Sequence, residues 1–217
     1  MMRATGSEFL GAALLSAAVI GSGIMGERLA GGNLAIALLA NTAATVAALA
    51  VLIATLGPVS GAHFNPVVTL VAWANHRIEA RRTLAYLVAQ IAGCIAGAAL
   101  ANVMFELPAL MPSAHVRTGM AQWIAEAVAT AGLVLVAFTS PSIKEAAWRV
   151  PAWIAAAYWF TASTSFANPA ITLGRSLSDT FAGIRPADAP GFITAQILGG
   201  VIGMLLLRLL MPKPAIA

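Results

Sequence analysis

Of the 217 residues, 60% are hydrophobic and only 9% are charged, against about 25% charged in a soluble domain, so the bilayer and not water must be the solvent of this chain. The formal charge of +4 is spread over twelve Lys and Arg that separate apolar runs; these read as topology signals, and nucleic acid is excluded as a partner. Cys94 is alone and cannot form an intrachain disulfide, and His63, His76 and His115 lack metal-ligand spacing, so neither a metal nor a cofactor is expected.

In chain order, Arg3 followed by an apolar stretch from Phe9 to Met25 has the outline of a signal peptide, but Glu8 precedes it and no A-x-A pattern closes it. A membrane span over about 7–26 is expected instead, since about 20 mostly apolar residues cross a bilayer as a helix. Further spans follow at about 34–56, 82–106, 120–140, 149–166 and 190–211. Two shorter apolar stretches, about 65–75 and 168–178, each begin with Asn-Pro and are too short to cross, which predicts re-entrant half-helices. With both termini in the cytoplasm, Arg3, Arg77, Arg81, Arg82, Lys144, Arg149, Arg208 and Lys213 lie inside, against Arg28, Arg117, Arg175 and Arg185 outside. That bias follows the positive-inside rule and predicts a multi-pass protein of the inner membrane.

The chain repeats itself. Asn65-Pro66-Val67-Val68-Thr69-Leu70 returns as Asn168-Pro169-Ala170-Ile171-Thr172-Leu173, displaced by 103 residues, and Ala89-Gln90-Ile91 returns as Ala195-Gln196-Ile197, displaced by 106. Glu8 in the first span is echoed by Glu126 in the fourth. Each half carries three spans, an odd number, so the second half enters the membrane from the opposite side. The expected fold is an all-α membrane protein forming one domain over 1–217, with inverted repeats at about 1–107 and 115–217.

Asn is a favoured N-cap and Pro fits the first helical position, so Asn65-Pro66 and Asn168-Pro169 each read as a helix start. In an inverted pair both N-termini point at the pore centre, and each carries roughly +0.5 of an elementary charge, a barrier to cations and protons. The segments before them, Ser60–Phe64 and Ser163–Ala167, are read as extended; their unpaired carbonyls are tolerable only along a water-filled path. Amide donors at the centre and a ladder of acceptors leading to it suit a neutral hydroxylated solute.

The two Asn-Pro motifs, the segment Ser60-Gly61-Ala62-His63-Phe64-Asn65-Pro66, the Ala-Gln-Ile pairs and the span glutamates together resemble the aquaporin/aquaglyceroporin (major intrinsic protein) family over nearly the whole chain. The resemblance implies six spans, two half-helices, one pore per subunit and, as a rule, a homotetramer. It also implies that Glu8 and Glu126 brace the pore loops, with His63 holding the first of them. The sequence departs from the family in two places. Val67 replaces the alanine of the first Asn-Pro-Ala box, whereas Ala170 keeps that of the second. Ile171 stands where most relatives place the arginine of the selectivity constriction.

Counted by family spacing, the other constriction positions fall at Thr45, Ala156 and Ser165, and the first two are small where water-selective members usually carry bulky aromatic and His side chains. Isoleucine offers only an apolar wall where a guanidinium would take up room and repel cations. The filter therefore reads as wide and uncharged, suited to polyols or neutral metalloid hydroxides such as arsenous acid as well as water. The run from Ala157 to Ala170 resembles a bacterial subgroup associated with arsenic resistance. Arg175, four residues beyond Ile171, can either reach back over the vacated slot or pair with Asp179. A water-selective pore, a secondary active transporter, an intramembrane enzyme and a closed structural protein stay open as alternatives.

Overall fold

The computed structural model describes residues 1–210; Lys213, one of the inside-facing cations above, and Met211, the end of the sixth expected span, lie outside the described residues. The described chain is all helix and loop. Six long helices, α1 (Met2–Leu29), α2 (Leu34–Ser60), α4 (Ala80–Met104), α5 (Met120–Thr139), α6 (Ile143–Phe160) and α8 (Ala189–Leu210), surround two short ones, α3 (Pro66–Ala74) and α7 (Pro169–Arg175). Leu39, Val51, Val88, Leu198 and Leu205 point outward from this bundle, an apolar surface that only lipid satisfies.

Local chemistry sets the element ends. The Asn33 side chain accepts from the Ala35 and Ile36 amides at 3.0 and 3.3 Å and starts α2. Gly61 closes it at φ +93°, the left-handed conformation that glycine adopts without penalty. Asn65 and Asn168 cap α3 and α7 as their positions before proline predict. The fifth span differs from expectation. It runs 143–160 and not 149–166, because Ser142 caps it at Glu145 N (3.2 Å) and the chain leaves the helix at Thr161. Lys144, Glu145 and Arg149 thus sit inside the helix, at its end, where long side chains reach the interface.

The two halves pack alike: α1 lies against α4 and α2 just as α5 lies against α8 and α6. Glycines spaced by four allow the closest approaches. Gly93 and Gly97 of α4 face the carbonyls of Phe9 and Ala13 in α1, and Gly199 and Gly203 of α8 face those of Ala127 and Ala131 in α5. A Cβ at any of the four would collide with backbone oxygen, which cannot swing aside. Gly97→Ala is expected to destabilise the protein by about 1–3 kcal/mol, the usual cost of overpacking. Gly6, with nothing within 4 Å of such a Cβ, is the control: Gly6→Ala should leave the melting temperature in detergent unchanged or slightly raised.

Candidate functional site

Between the two halves, the non-helical segments 61–65 and 161–168 run toward each other and end at the two asparagines. Each segment turns its backbone through three residues at positive φ, Gly61 (+93°), Ala62 (+50°) and Phe64 (+48°) in the first and Thr164 (+60°), Ser165 (+51°) and Ala167 (+48°) in the second, all but Gly61 non-glycine. These are the same positions of the repeat, 103 residues apart, and such conformations cost a non-glycine residue of order 1 kcal/mol each and persist only where the surroundings hold them.

The surroundings are polar and repeat as well. Glu8, fully buried, accepts from the Ser60 hydroxyl (2.6 Å) and His63 N (3.0 Å) on one oxygen, and from Phe64 N and Gln90 Nε2 (both 2.7 Å) on the other. Glu126 accepts from Phe166 N (2.8 Å), Ala167 N (2.9 Å) and Gln196 Nε2 (2.6 Å). Gln90 and Gln196 each also donate to the threonine of the adjoining half-helix, Thr69 and Thr172, at 2.9 Å. His63 Nδ1 lies 3.0 Å from the Thr69 hydroxyl. The residues expected around the loops are thus brought together, with Thr69 and Thr172 as members whose only signal in the sequence was their place in the repeated Asn-Pro box.

The two loops are tied to one another through the asparagines. Asn65 Nδ2 donates to the Ala167 carbonyl at 2.7 Å, and Asn168 Nδ2 donates to the Phe64 carbonyl at 2.9 Å. Asn65 Oδ1 meanwhile accepts from Val67 N, and Asn168 Oδ1 from Ala170 N and Ile171 N. An amide nitrogen has two hydrogens, so each asparagine keeps one donor beyond the tie.

A cavity of about 520 Å³ passes these asparagines. At one end its wall includes Arg77, Arg82 and Ser142, and at the other Thr45, Ser165, Phe166, Ile171 and Arg175. Leu15, Val19, Leu49, Ile53, Leu133 and Val150 make the long walls apolar. Pro66, Val67, Pro169 and Ala170 are buried, shaping the half-helices behind the asparagines and not the wall itself.

One expected constriction residue is not in the wall. Ala156 is exposed on the outer side of α6, and the residues α6 turns toward the cavity are Ile143, Ala146, Val150, Ile154 and Tyr158, the last two of these nearest in sequence to Ala156. Positions two apart on a helix lie about 200° apart around its axis, so Ala156 and Tyr158 cannot share a face. Counting by family spacing misses this because seven non-helical residues stand between Phe160 and Asn168. Tyr158 is buried, with its hydroxyl 3.5 Å from the Thr45 Oγ1. A bulky hydrogen-bonding ring therefore stands where a methyl group was expected.

Arg175 does not take the second of its two expected courses. Asp179 is not its partner; that carboxylate accepts from Ala114 N at 2.8 Å and from the Ser113 hydroxyl at 3.4 Å. Arg175 is buried in the wall, its Nε donating to the Ala182 carbonyl and its guanidinium carbon 3.3 Å from the centre of the Phe166 ring. Arg117, from the loop after α4, lies 5.3 Å from the centre of the same ring and donates to the carbonyls of Gly183 and Phe181. That loop is fastened over the mouth by Met111 N to Leu177 O and by Arg185 N to His115 O. Asp188 accepts from Arg185 and from Arg117 N; the Arg185 hydrogen bond, helped by the Arg117 amide, holds its carboxyl below the usual range. Nothing in the sequence marked Arg117 or this loop as part of the mouth.

Residues 1–148 match the family described as major intrinsic protein. Over 183 residues, 83% of this chain and 78% of the relative, the chain is 54% identical to aquaglyceroporin AqpS of Rhizobium meliloti (strain 1021). A local match, 53% identical over 45 residues, covers 21% of this chain and 17% of aquaporin-5 of Ovis aries. The fold superposes on the aquaglyceroporin of Plasmodium falciparum with a TM-score of 0.73, covering 95% of each chain at 18% identity.

Proposed function

The chain belongs to the major intrinsic protein family, and on that premise we propose that it is a passive pore for small uncharged solutes bulkier than water, glycerol-like polyols and arsenous acid among them. The family is one of multi-pass membrane channels, and the relative that matches most of this chain is named an aquaglyceroporin. The observation that carries the wider reading is Ile171: 4% exposed and in the cavity wall, it puts an apolar side chain where most of the family places an arginine.

In this reading a solute trades water for a short polar track, the free donor of Asn65 and of Asn168 and the hydroxyls of Thr45, Tyr158 and Ser165, while its carbon side slides along leucine and valine. The Glu8 and Glu126 braces and the His63–Thr69 contact hold the loops open. Positive potential from the half-helix starts holds back cations and protons. The protein sits in the inner membrane with both termini in the cytoplasm and assembles as a homotetramer with a pore in each subunit.

A water-selective reading has one specific support: Tyr158 and Arg175 both enter the wall near Thr45 and Ile171 and supply the bulk and charge that Ala156 and Ile171 lack. Stopped-flow light scattering on proteoliposomes separates the two. Wild type should admit glycerol and arsenite rapidly, and Ile171→Arg should cut both by about tenfold, a barrier rise of about 1.4 kcal/mol, while water flux survives. Fast water flux with both solutes excluded by wild type would instead make the pore water-selective.

A further inference from the structure

We infer that Arg175, together with the hydroxyls of Tyr158 and Ser165, forms a binding site for small planar oxyanions inside the outer half of the pore; this rests on the channel reading above. Arg175 is 2% exposed and borders the cavity. Phe166 covers one of its faces, and among the described residues its side chain makes a single hydrogen bond, Nε to the Ala182 carbonyl. A guanidinium carries five N–H donors in a rigid fork, so the outer edge that matches a planar, two-oxygen acceptor is left over.

Glu126 is near enough to act on this charge electrostatically, but among the described residues no carboxylate forms an ion pair with Arg175. The ion pairs among the described residues are Arg149–Glu145 and Arg185–Asp188. The oxygens of Glu126 are committed to Phe166 N, Ala167 N and Gln196, and Asp179 is committed to Ser113 and Ala114. Arg117 on the same phenyl ring adds a second positive charge. A buried cation without a direct ion-pair partner is costly, and a bound anion relieves that cost.

A second, independent observation points to the same place. Ser165 Oγ is buried without a hydrogen-bond partner, although Ser165 lines the cavity one residue before Phe166. Tyr158 faces the same space, its hydroxyl only 3.5 Å from Thr45 Oγ1, a weak contact readily exchanged. A planar monoanion held in the Arg175 fork would find these hydroxyls as further donors. Such an anion occupies the path of neutral solutes and slows them.

The test uses full-length protein in proteoliposomes at pH 8, with sodium nitrate replacing sodium gluconate at constant ionic strength. Glycerol flux should fall roughly threefold in about 100 mM nitrate, as for a site with a dissociation constant of about 50 mM. Each variant is scored as the ratio of its own two fluxes. That ratio should return to one in Arg175→Gln, and Arg175→Lys and Tyr158→Phe should each weaken the nitrate effect severalfold. Should Arg175→Gln fail to fold, the other two carry the test. Equal inhibition by formate assigns the site to oxyanions including carboxylates, and inhibition by nitrate alone assigns it to inorganic ones. Wild-type glycerol flux identical in nitrate and gluconate overturns the inference and leaves the channel reading standing. Absent glycerol flux in gluconate defeats the channel reading; nitrate binding is then read as a rise in the melting temperature of wild type that Arg175→Gln lacks, and no such rise overturns the site as well.

Discussion

Glu8→Ala is expected to abolish most transport and to lower stability by about 4 kcal/mol, since it orphans two backbone donors, one buried and one part-buried, at roughly 1–3 kcal/mol each. The donors are His63 N and Phe64 N, which the carboxylate now accepts at 3.0 and 2.7 Å. Ser60 can rotate its hydroxyl and Gln90 keeps Thr69, so they add less. Removing a buried carboxylate also recovers desolvation, which offsets part of the loss. The remainder is still large beside a total stability of about 5–15 kcal/mol. The damage falls on the pore because Glu8 is what holds Ala62 and Phe64 at positive φ. Glu8→Gln, which keeps one acceptor oxygen, should fall between. Thermal unfolding in detergent and glycerol flux in liposomes check both; alanine channels with near-wild-type flux would show that the loop stands without its brace.

The features legible in the sequence are those that chemistry repeats. Six apolar runs and two Asn-Pro boxes were enough to find all eight helices among the described residues, though not the bounds of α6, and the 103-residue echo of Asn65 in Asn168 matches loops that now share the same positive-φ positions. Glu8 and Glu126 were legible because an ionisable group inside a membrane span needs a partner. Spacing failed where the backbone stops being periodic. The stretch from Thr161 to Asn168 is not helical, so counting through it placed Ala156 in the wall and passed over Tyr158. The start of α6 was missed because Lys144 and Glu145 look unlike a span, although Glu145 pairs with Arg149 at 3.1 Å within the helix. Arg117 was out of reach altogether: its place depends on a loop docked by backbone bonds to residues some 65 positions away, such as the Gly183 carbonyl.

Tyr158→Ala is expected to widen the pore and raise flux of the longer polyols xylitol and sorbitol about tenfold, a barrier drop of about 1.4 kcal/mol. The ring is buried, borders the cavity and faces Thr45 from across the helix pair α2 and α6. Because one side of it meets the cavity and not packed core, truncation should cost less than the 3–5 kcal/mol of an aromatic deletion in a closed interior. Glycerol, already small enough to pass, should gain only a few fold, so the signature is a shift in the size cutoff and not a general leak. Tyr158→Phe keeps the ring and should keep the cutoff, which separates bulk from hydrogen bonding. Reswelling rates of proteoliposomes in glycerol, xylitol and sorbitol read all three proteins side by side. A cutoff that stays put in Tyr158→Ala but tightens in Ile171→Arg would move the narrowest point from α6 to the start of α7, and with it the decision about which solutes pass.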